Sequence, residues 1–228
     1  MPTDVTTFFV VAIDGPAGAG KSTVSRRLAE RLGYTFLDTG ALYRSVAFIA
    51  SQRSFSAFDE GGMAEIARTL DVRFDHQSQP VRIFANGEDV SAAIRKPEIS
   101  QFASQVSAYS EVRRALLAAQ RRVALSGSLV AEWRDIGTVV FPGAQAKFFL
   151  TASPETRARR RTSEMAQSGV AGSFEEVFKE IKERDERDMG REAAPLSQAP
   201  DAILVDSSDL SAEEVISLMA DLVRKRGG

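Results

Sequence analysis

The run FFVVAID (8–14) leads straight into GPAGAGKST (15–23), and together they constrain the fold more than any other stretch. The first is continuously apolar rather than alternating, which suits a β-strand buried on both faces of a parallel sheet. The second places Gly15, Gly18 and Gly20 ahead of Lys21, Ser22 and Thr23. Glycines at that density let the backbone turn its N–H groups inward as an anion nest, and a helix opening at Lys21 adds its dipole. Gly15-x-x-x-x-Gly20-Lys21-Ser22 matches the phosphate-loop pattern G-x-x-x-x-G-K-[ST]. In such loops the lysine reaches the β- and γ-phosphates and the hydroxyl ligates Mg2+. Nucleotide binding is therefore expected, with Gly15, Gly18, Gly20, Lys21, Ser22 and Thr23 on the phosphates and Ser22 on the metal.

Strand-length apolar runs recur at TFLD (35–38), SLVAE (128–132), KFFLTA (147–152) and AILVD (202–206). Between the first two strands, Val24, Leu28 and Leu32 fall at helical spacing, so residues 8–38 read as a strand–helix–strand unit. The expected class is α/β, a five-stranded parallel sheet with flanking helices. Ser153-Pro154 opens a further helix, and Ser173 with Glu176 and Ser211 with Glu214 fit capping boxes. The last helix, 212–225, puts Val215, Ile216, Met219, Leu222 and Val223 on one core-facing side. Residues 71–90 break the pattern, because short alternating strands there flank Asn86-Gly87, a strong hairpin signal. A small antiparallel insert is expected at that point.

Composition excludes several function classes. With no cysteine there is no disulfide framework or thiolate metal site, and one histidine, His76, leaves no multi-histidine centre. A net charge of −2 gives no global footprint for nucleic acid or anionic membrane. No apolar run is long enough to cross a bilayer, and MPTDVTTFFVVAIDG lacks the basic start and cleavage site of a signal peptide. A soluble cytoplasmic protein is expected. A guanine-reading N-K-x-D is missing, which argues against a switch GTPase.

Arginines mark the second substrate. Arg44 follows DTGALY, Arg134 follows the third strand, RARRR (157–161) crowds the start of a helix, and Arg184, Asp188 and Arg191 share one helical face by spacing. Taken alone, RARRR is a solvated face or a nucleic-acid patch, and KERDERDMGR (182–191) a solvated helix laced with ion pairs. Beside a phosphate loop, and in an acidic chain, such arginines point to an acceptor that is itself anionic. A phosphate oxygen is already ionised near neutral pH, so its attack needs no general base.

IDGPAGAGKST, LDTGALYR, ANGEDVSAAIR, ASQVSAYSEVRRALLAAQR, RDIGTVVFP and IKERDERD together resemble the bacterial cytidylate (CMP) kinases, P-loop nucleoside monophosphate kinases, over nearly the whole chain. The resemblance implies one P-loop kinase domain over 1–228, a monophosphate-binding region at about 39–115 with the insert inside it, and a short lid at about 154–172. It implies phosphoryl transfer from ATP, with Mg2+, to CMP or dCMP. A monomer without nucleic-acid or membrane partners is expected. Arg44, Arg134 and Arg191 would hold the CMP phosphate, Ser104, Arg113 and Asp135 would read cytosine, and Arg184 and Asp188 would hold the ribose. Lid arginines, chiefly Arg157 and Arg161, would close over the transferring group, so the implied catalytic set is Lys21, Arg44, Arg134, Arg157, Arg161 and Arg191.

Two positions depart from the family pattern. Where E-G-R-D or D-G-R-D is usual, this chain has Glu132-Trp133-Arg134-Asp135. Trp133 either points to core or solvent, leaving a working enzyme, or crowds the CMP pocket or stacks on the base. Met189-Gly190 before Arg191 is milder, since glycine is a weak helix former. The alternatives are a UMP-accepting P-loop kinase, a nucleotide-binding protein whose turnover Trp133 impairs, and a nucleic-acid binder using RARRR.

Overall fold

The computed structural model describes residues 8–56, 59–76, 78, 81–167 and 169–228. Residues 1–7 of the N-terminal stretch expected to carry no signal peptide fall outside them, as do 57 and 58, positions 77, 79 and 80 of the insert, and 168 of the expected lid. In chain order the elements are β1 (Val10–Asp14), α1 (Lys21–Leu32), β2 (Thr35–Asp38), α2 (Gly40–Gln52), α3 (Glu60–Thr69), β3 (Val72–Asp75), β4 (Arg82–Ala85) and β5 (Glu88–Asp89). There follow α4 (Pro97–Val106), α5 (Ser110–Val123), β6 (Leu129–Trp133), β7 (Ala146–Thr151), α6 (Pro154–Gln167), α7 (Phe174–Gly190), β8 (Ile203–Asp206) and α8 (Ala212–Lys225). A single wide helical turn, Ile136–Val140, follows β6. The chain forms two compact units, one of the residues through Leu37 with Arg121–Gly190 and Pro195–Gly228, the other of Asp38–Gln120 with Arg191–Ala194.

The first unit holds the five-stranded parallel sheet in the order β2-β6-β1-β7-β8. β1 and β2 share that sheet, as a strand–helix–strand unit requires, but β6 lies between them. β1 pairs in parallel with both β6 and β7. It is thus central, and Val11 and Ile13 are fully buried, which is why FFVVAID shows no alternation. Leu28 of α1, Phe148 and Leu150 of β7, and Ile216 and Met219 of α8 complete this core. α1 stops at Gly33, whose φ of +69° is left-handed and lets Tyr34 N–H close on the Ala29 carbonyl at 2.9 Å. α8 has the expected bounds and a complete capping box between Ser211 and Glu214. Ser153 and Ser173 likewise accept hydrogen bonds from the first turns of α6 and α7.

The second unit carries the antiparallel sheet β3-β4-β5. Asn86 and Gly87 both have positive φ, +51° and +87°, as the two central residues of a tight hairpin turn require. The Asn86 side chain also accepts from the Asp71 N–H at 2.9 Å. Ile83, Ala85, Val90 and Ile94 form a small core, covered by Phe48, Ile49, Val72 and Phe74.

One expectation is corrected. α7 ends at Gly190, so Arg191 does not continue the helical face of Arg184 and Asp188. It belongs to the second unit, where its Nε donates to the Ala194 carbonyl at 2.7 Å. Glycine's low helix propensity ends the helix, and Leu196 N–H closes on the Asp188 carbonyl at 2.8 Å.

Ser211→Ala removes the accepted hydrogen bond at the start of α8 and should cost about 1 kcal/mol. For a chain of this size that lowers Tm by about 2–4 °C, measured by calorimetry; an unchanged Tm would show that the box contributes nothing.

Candidate active site

Gly15 turns the chain at the end of β1, and only glycine fits: its φ is +149°, and a Cβ would lie 1.9 Å from the Leu150 carbonyl oxygen. Gly18 and Gly20 adopt left-handed conformations, φ +75° and +84°. Gly20 is the N-cap of α1, with no side-chain cap on the helix's first N–H groups. A helix start left uncapped by the chain itself suits an external anion. Lys21 is buried, and its Nζ donates to the Pro16 carbonyl at 2.7 Å. Burial, with Arg134 nearby, lowers the Lys21 pKa, against the opposing pull of Glu132. The Ser22 hydroxyl donates to Glu132 Oε1 at 2.7 Å.

Asp14, the last residue of β1, accepts from the Ile136 and Gly137 N–H groups at 2.6 and 2.7 Å. It thereby fixes the turn that follows Arg134 and the fully buried Asp135. Burial pushes the Asp14 carboxyl up to about 7, although both N–H donors favour its ionised form.

α7 supplies two carboxylates to this unit. Asp188 Oδ2 accepts from Arg134 Nε at 2.8 Å, both side chains being nearly inaccessible, and Arg184 Nε lies 4.0 Å from the same oxygen. Arg134 also lies over the Trp133 ring, its guanidinium carbon 4.6 Å from the centroid. Trp133 is only 5% exposed, so of the outcomes open for it the solvent-facing one is excluded. Asp185 Oδ2 accepts from Arg157 Nη2 at 2.6 Å. Arg161, the other arginine expected to act in the lid, is partly exposed, and its Nη1 lies 3.6 Å from Glu164 Oε2.

In the second unit Ser107 gathers three expected residues. Its hydroxyl donates to the Ser104 carbonyl and accepts from Arg191 Nη1 at 3.2 Å, while its own carbonyl accepts from Arg113 Nη1 at 3.0 Å. Arg113 also covers the Tyr43 ring. Arg44 pairs with Asp38, Nη2 to Oδ2, at 2.6 Å, while Asp38 Oδ1 caps the Ala41 N–H. Asp14, Asp38, Ser107, Glu132 and Asp185 were not selected from the sequence. Only Asp14 carried a local signal, as a carboxylate ending a buried strand directly before the glycine loop.

A parallel sheet whose central strand runs into an uncapped, glycine-turned helix start defines a P-loop fold, and the buried lysine and paired arginines beside it are those of a P-loop kinase. The same fold is shared with an uncharacterized protein from Eubacterium ventriosum (TM-score 0.52, 13% identity, 95% of this chain and 98% of that one). A shikimate kinase from Bacteroides thetaiotaomicron matches at TM-score 0.50 and 15% identity, over 95% and 99% of the two chains. The family profile of cytidylate kinase matches residues 11–225. The chain is 49% identical to a cytidylate kinase from Geobacter sp. (strain M21), over 95% of this chain and 93% of that protein. It is 47% identical to cytidylate kinase 1 of Haemophilus influenzae, over 96% and 94%. The chain belongs to the cytidylate kinase family.

The raised Asp14 pKa has a pH signature. The folded state keeps a proton that the unfolded chain releases near 3.8, so the stability this group contributes is full below that pH and is lost as pH rises through about 7. Asp14→Asn does not titrate. The Tm difference, wild type minus variant, should therefore shrink between about pH 4.5 and about pH 7.5; a constant difference would disprove the shift.

Proposed function

We propose that the chain transfers the γ-phosphoryl group of ATP to CMP or dCMP, giving ADP and CDP or dCDP, in the cytoplasm. Family membership supports the reading. The observation that carries it is the pairing, in one unit, of an uncapped phosphate loop with the buried arginines Arg134 and Arg157, each held by a carboxylate of α7. The UMP-accepting and impaired-turnover alternatives are not favoured.

In this mechanism Lys21 exchanges the Pro16 carbonyl for the β- and γ-phosphates, and the N–H groups at the start of α1 take the remaining oxygens. A CMP phosphate oxygen attacks the γ-phosphorus in line, the bond from that phosphorus to the β–γ bridging oxygen breaks, and ADP leaves. Arg44, Arg134 and Arg191 are assigned to the acceptor phosphate, and Arg161 to the transferring group. No proton need be removed from the nucleophile, so catalysis rests on positioning and on charge stabilisation. Asp135 is assigned to the cytosine amine with Ser104 and Arg113, a carboxylate being the natural acceptor for that group. Arg184 and Asp188 are assigned to the ribose.

The loop fits Mg2+. The Ser22 hydroxyl stands 2.7 Å from a Glu132 carboxylate oxygen, a hard-oxygen pair, and no group of three His, Cys, Asp or Glu side chains placed to hold a metal occurs among the described residues. Ser22 would hold the ion with substrate phosphates supplying most of the rest, as is usual for Mg2+. When bound, the ion neutralises charge on the phosphates.

A coupled ADP-release assay with MgATP should show fast turnover with CMP and dCMP, far slower turnover with UMP, and none with AMP or shikimate. Asp135→Ala should lower the preference for CMP over UMP by about tenfold or more. Unchanged discrimination would remove Asp135 from base reading, and ATP binding without turnover on any acceptor would overturn the assignment.

A further inference from the structure

We propose that Asp185 and Arg157 are positioning residues for the ATP phosphates: together they form a strut from α7 to the phosphate loop. The role rests on the phosphotransferase reading above. Arg157 is 3% exposed, and each of its three guanidinium nitrogens donates. Nε reaches the Ala152 carbonyl at the end of β7 at 2.9 Å, Nη1 the Ala17 carbonyl of the loop at 3.0 Å, and Nη2 Asp185 Oδ2 at 2.6 Å. The guanidinium therefore joins the end of β7, the loop and the helix at one point. Its backbone lies close as well, because a Cβ on Gly18 would sit 3.6 Å from the Arg157 carbonyl oxygen.

The contact at Ala17 sets the direction of a phosphate donor. In a trans peptide the carbonyl and the following N–H point in opposite directions. With the Ala17 carbonyl held by Arg157, the Gly18 N–H must point away from Arg157. The neighbouring carbonyl, Pro16, is held by Lys21 Nζ, but that lysine is the one expected to leave for the phosphates. Arg157 is then the cation that continues to hold the loop while nucleotide is bound. Asp185 fixes Arg157 for this task, since a planar guanidinium gripped at one edge has its other nitrogens aimed. In this role Arg157 acts on the phosphates through the loop backbone, beside the lid role that the family resemblance implies for it.

Asp185→Asn keeps the side-chain shape and weakens the grip on Arg157; Arg157→Lys keeps the charge but cannot span three carbonyl and carboxylate acceptors. MgATP binding is measured by calorimetry without CMP, and initial rates by varying ATP and CMP in turn, well below each variant's Tm. Both variants should weaken ATP binding and raise KM for ATP roughly tenfold, with KM for CMP unchanged. The double variant should be little worse than either single one, because the two residues act as one device. Wild-type ATP affinity in both variants with a lowered Tm would reduce the pair to a structural one and overturn the proposal, as would a rise confined to KM for CMP. The calorimetry keeps the two readings apart: a wild-type chain that binds ATP but does not phosphorylate CMP sinks the assigned activity, while the variants' ATP affinity still decides the strut.

Discussion

Buried charge governs the first unit. Lys21, Glu132, Arg134, Asp135, Arg157 and Asp188 are each no more than 6% exposed, and an ion left unpaired at such depth costs several kcal/mol. The local architecture follows from that demand. Asp188 must stand opposite Arg134 and Asp185 opposite Arg157, which sets the rotation of α7 about its axis. The apolar stripe of Val177 and Ile181 on the same helix, packed with Ala158 of α6, has to agree with that rotation. Asp14 solves a different problem by the same means: with two backbone donors at 2.6 and 2.7 Å, a carboxylate at the end of a central strand fixes the start of the wide helical turn after β6.

Local chemistry made much of the fold legible in the sequence. Helix 21–32 could be bounded because glycine at 20 and 33 takes left-handed conformations that other residues avoid. Asn86-Gly87 encodes its own turn, and Ser211 with Glu214 their own cap. Each signal is complete within a few residues. The extension of α7 to Arg191 failed for a related reason, since helical spacing was carried across Gly190, where the helix in fact ends.

The partners of the site residues were not legible, because pairing across distant segments has no local trace. Ser22 meets Glu132 across 110 positions and Asp14 meets Gly137 across 123. Asp185 looks in sequence like its exposed neighbours Glu183 and Glu186, and only packing of α7 against α6 distinguishes it. Ser107 is one serine among many until Ser104, Arg113 and Arg191 are seen to converge on it within the second unit. Trp133 illustrates the converse: the sequence marks it as unusual, and the structure explains it as a buried ring beneath the Arg134 guanidinium.

The paired state of these arginines bears on how a phosphate is bound. Arg44 already faces Asp38 and Arg134 already faces Asp188, so on the proposed assignment of both to the acceptor phosphate the anion does not meet bare cations. A lysine in those places would have to choose between carboxylate and phosphate, because its charge is a point. A guanidinium offers five N–H donors in a plane and can keep its carboxylate along one edge while presenting another to a phosphate. The carboxylate then serves as a clamp: it lowers the gain from binding any single anion, and in return fixes the angle at which the guanidinium plane is offered. For phosphoryl transfer, where almost all of the rate enhancement comes from placement and charge rather than covalent chemistry, a fixed angle is worth more than a strong but loosely aimed attraction. That preference accounts for why a chain with a net charge of only −2 concentrates buried, carboxylate-held arginines instead of building a broad positive surface.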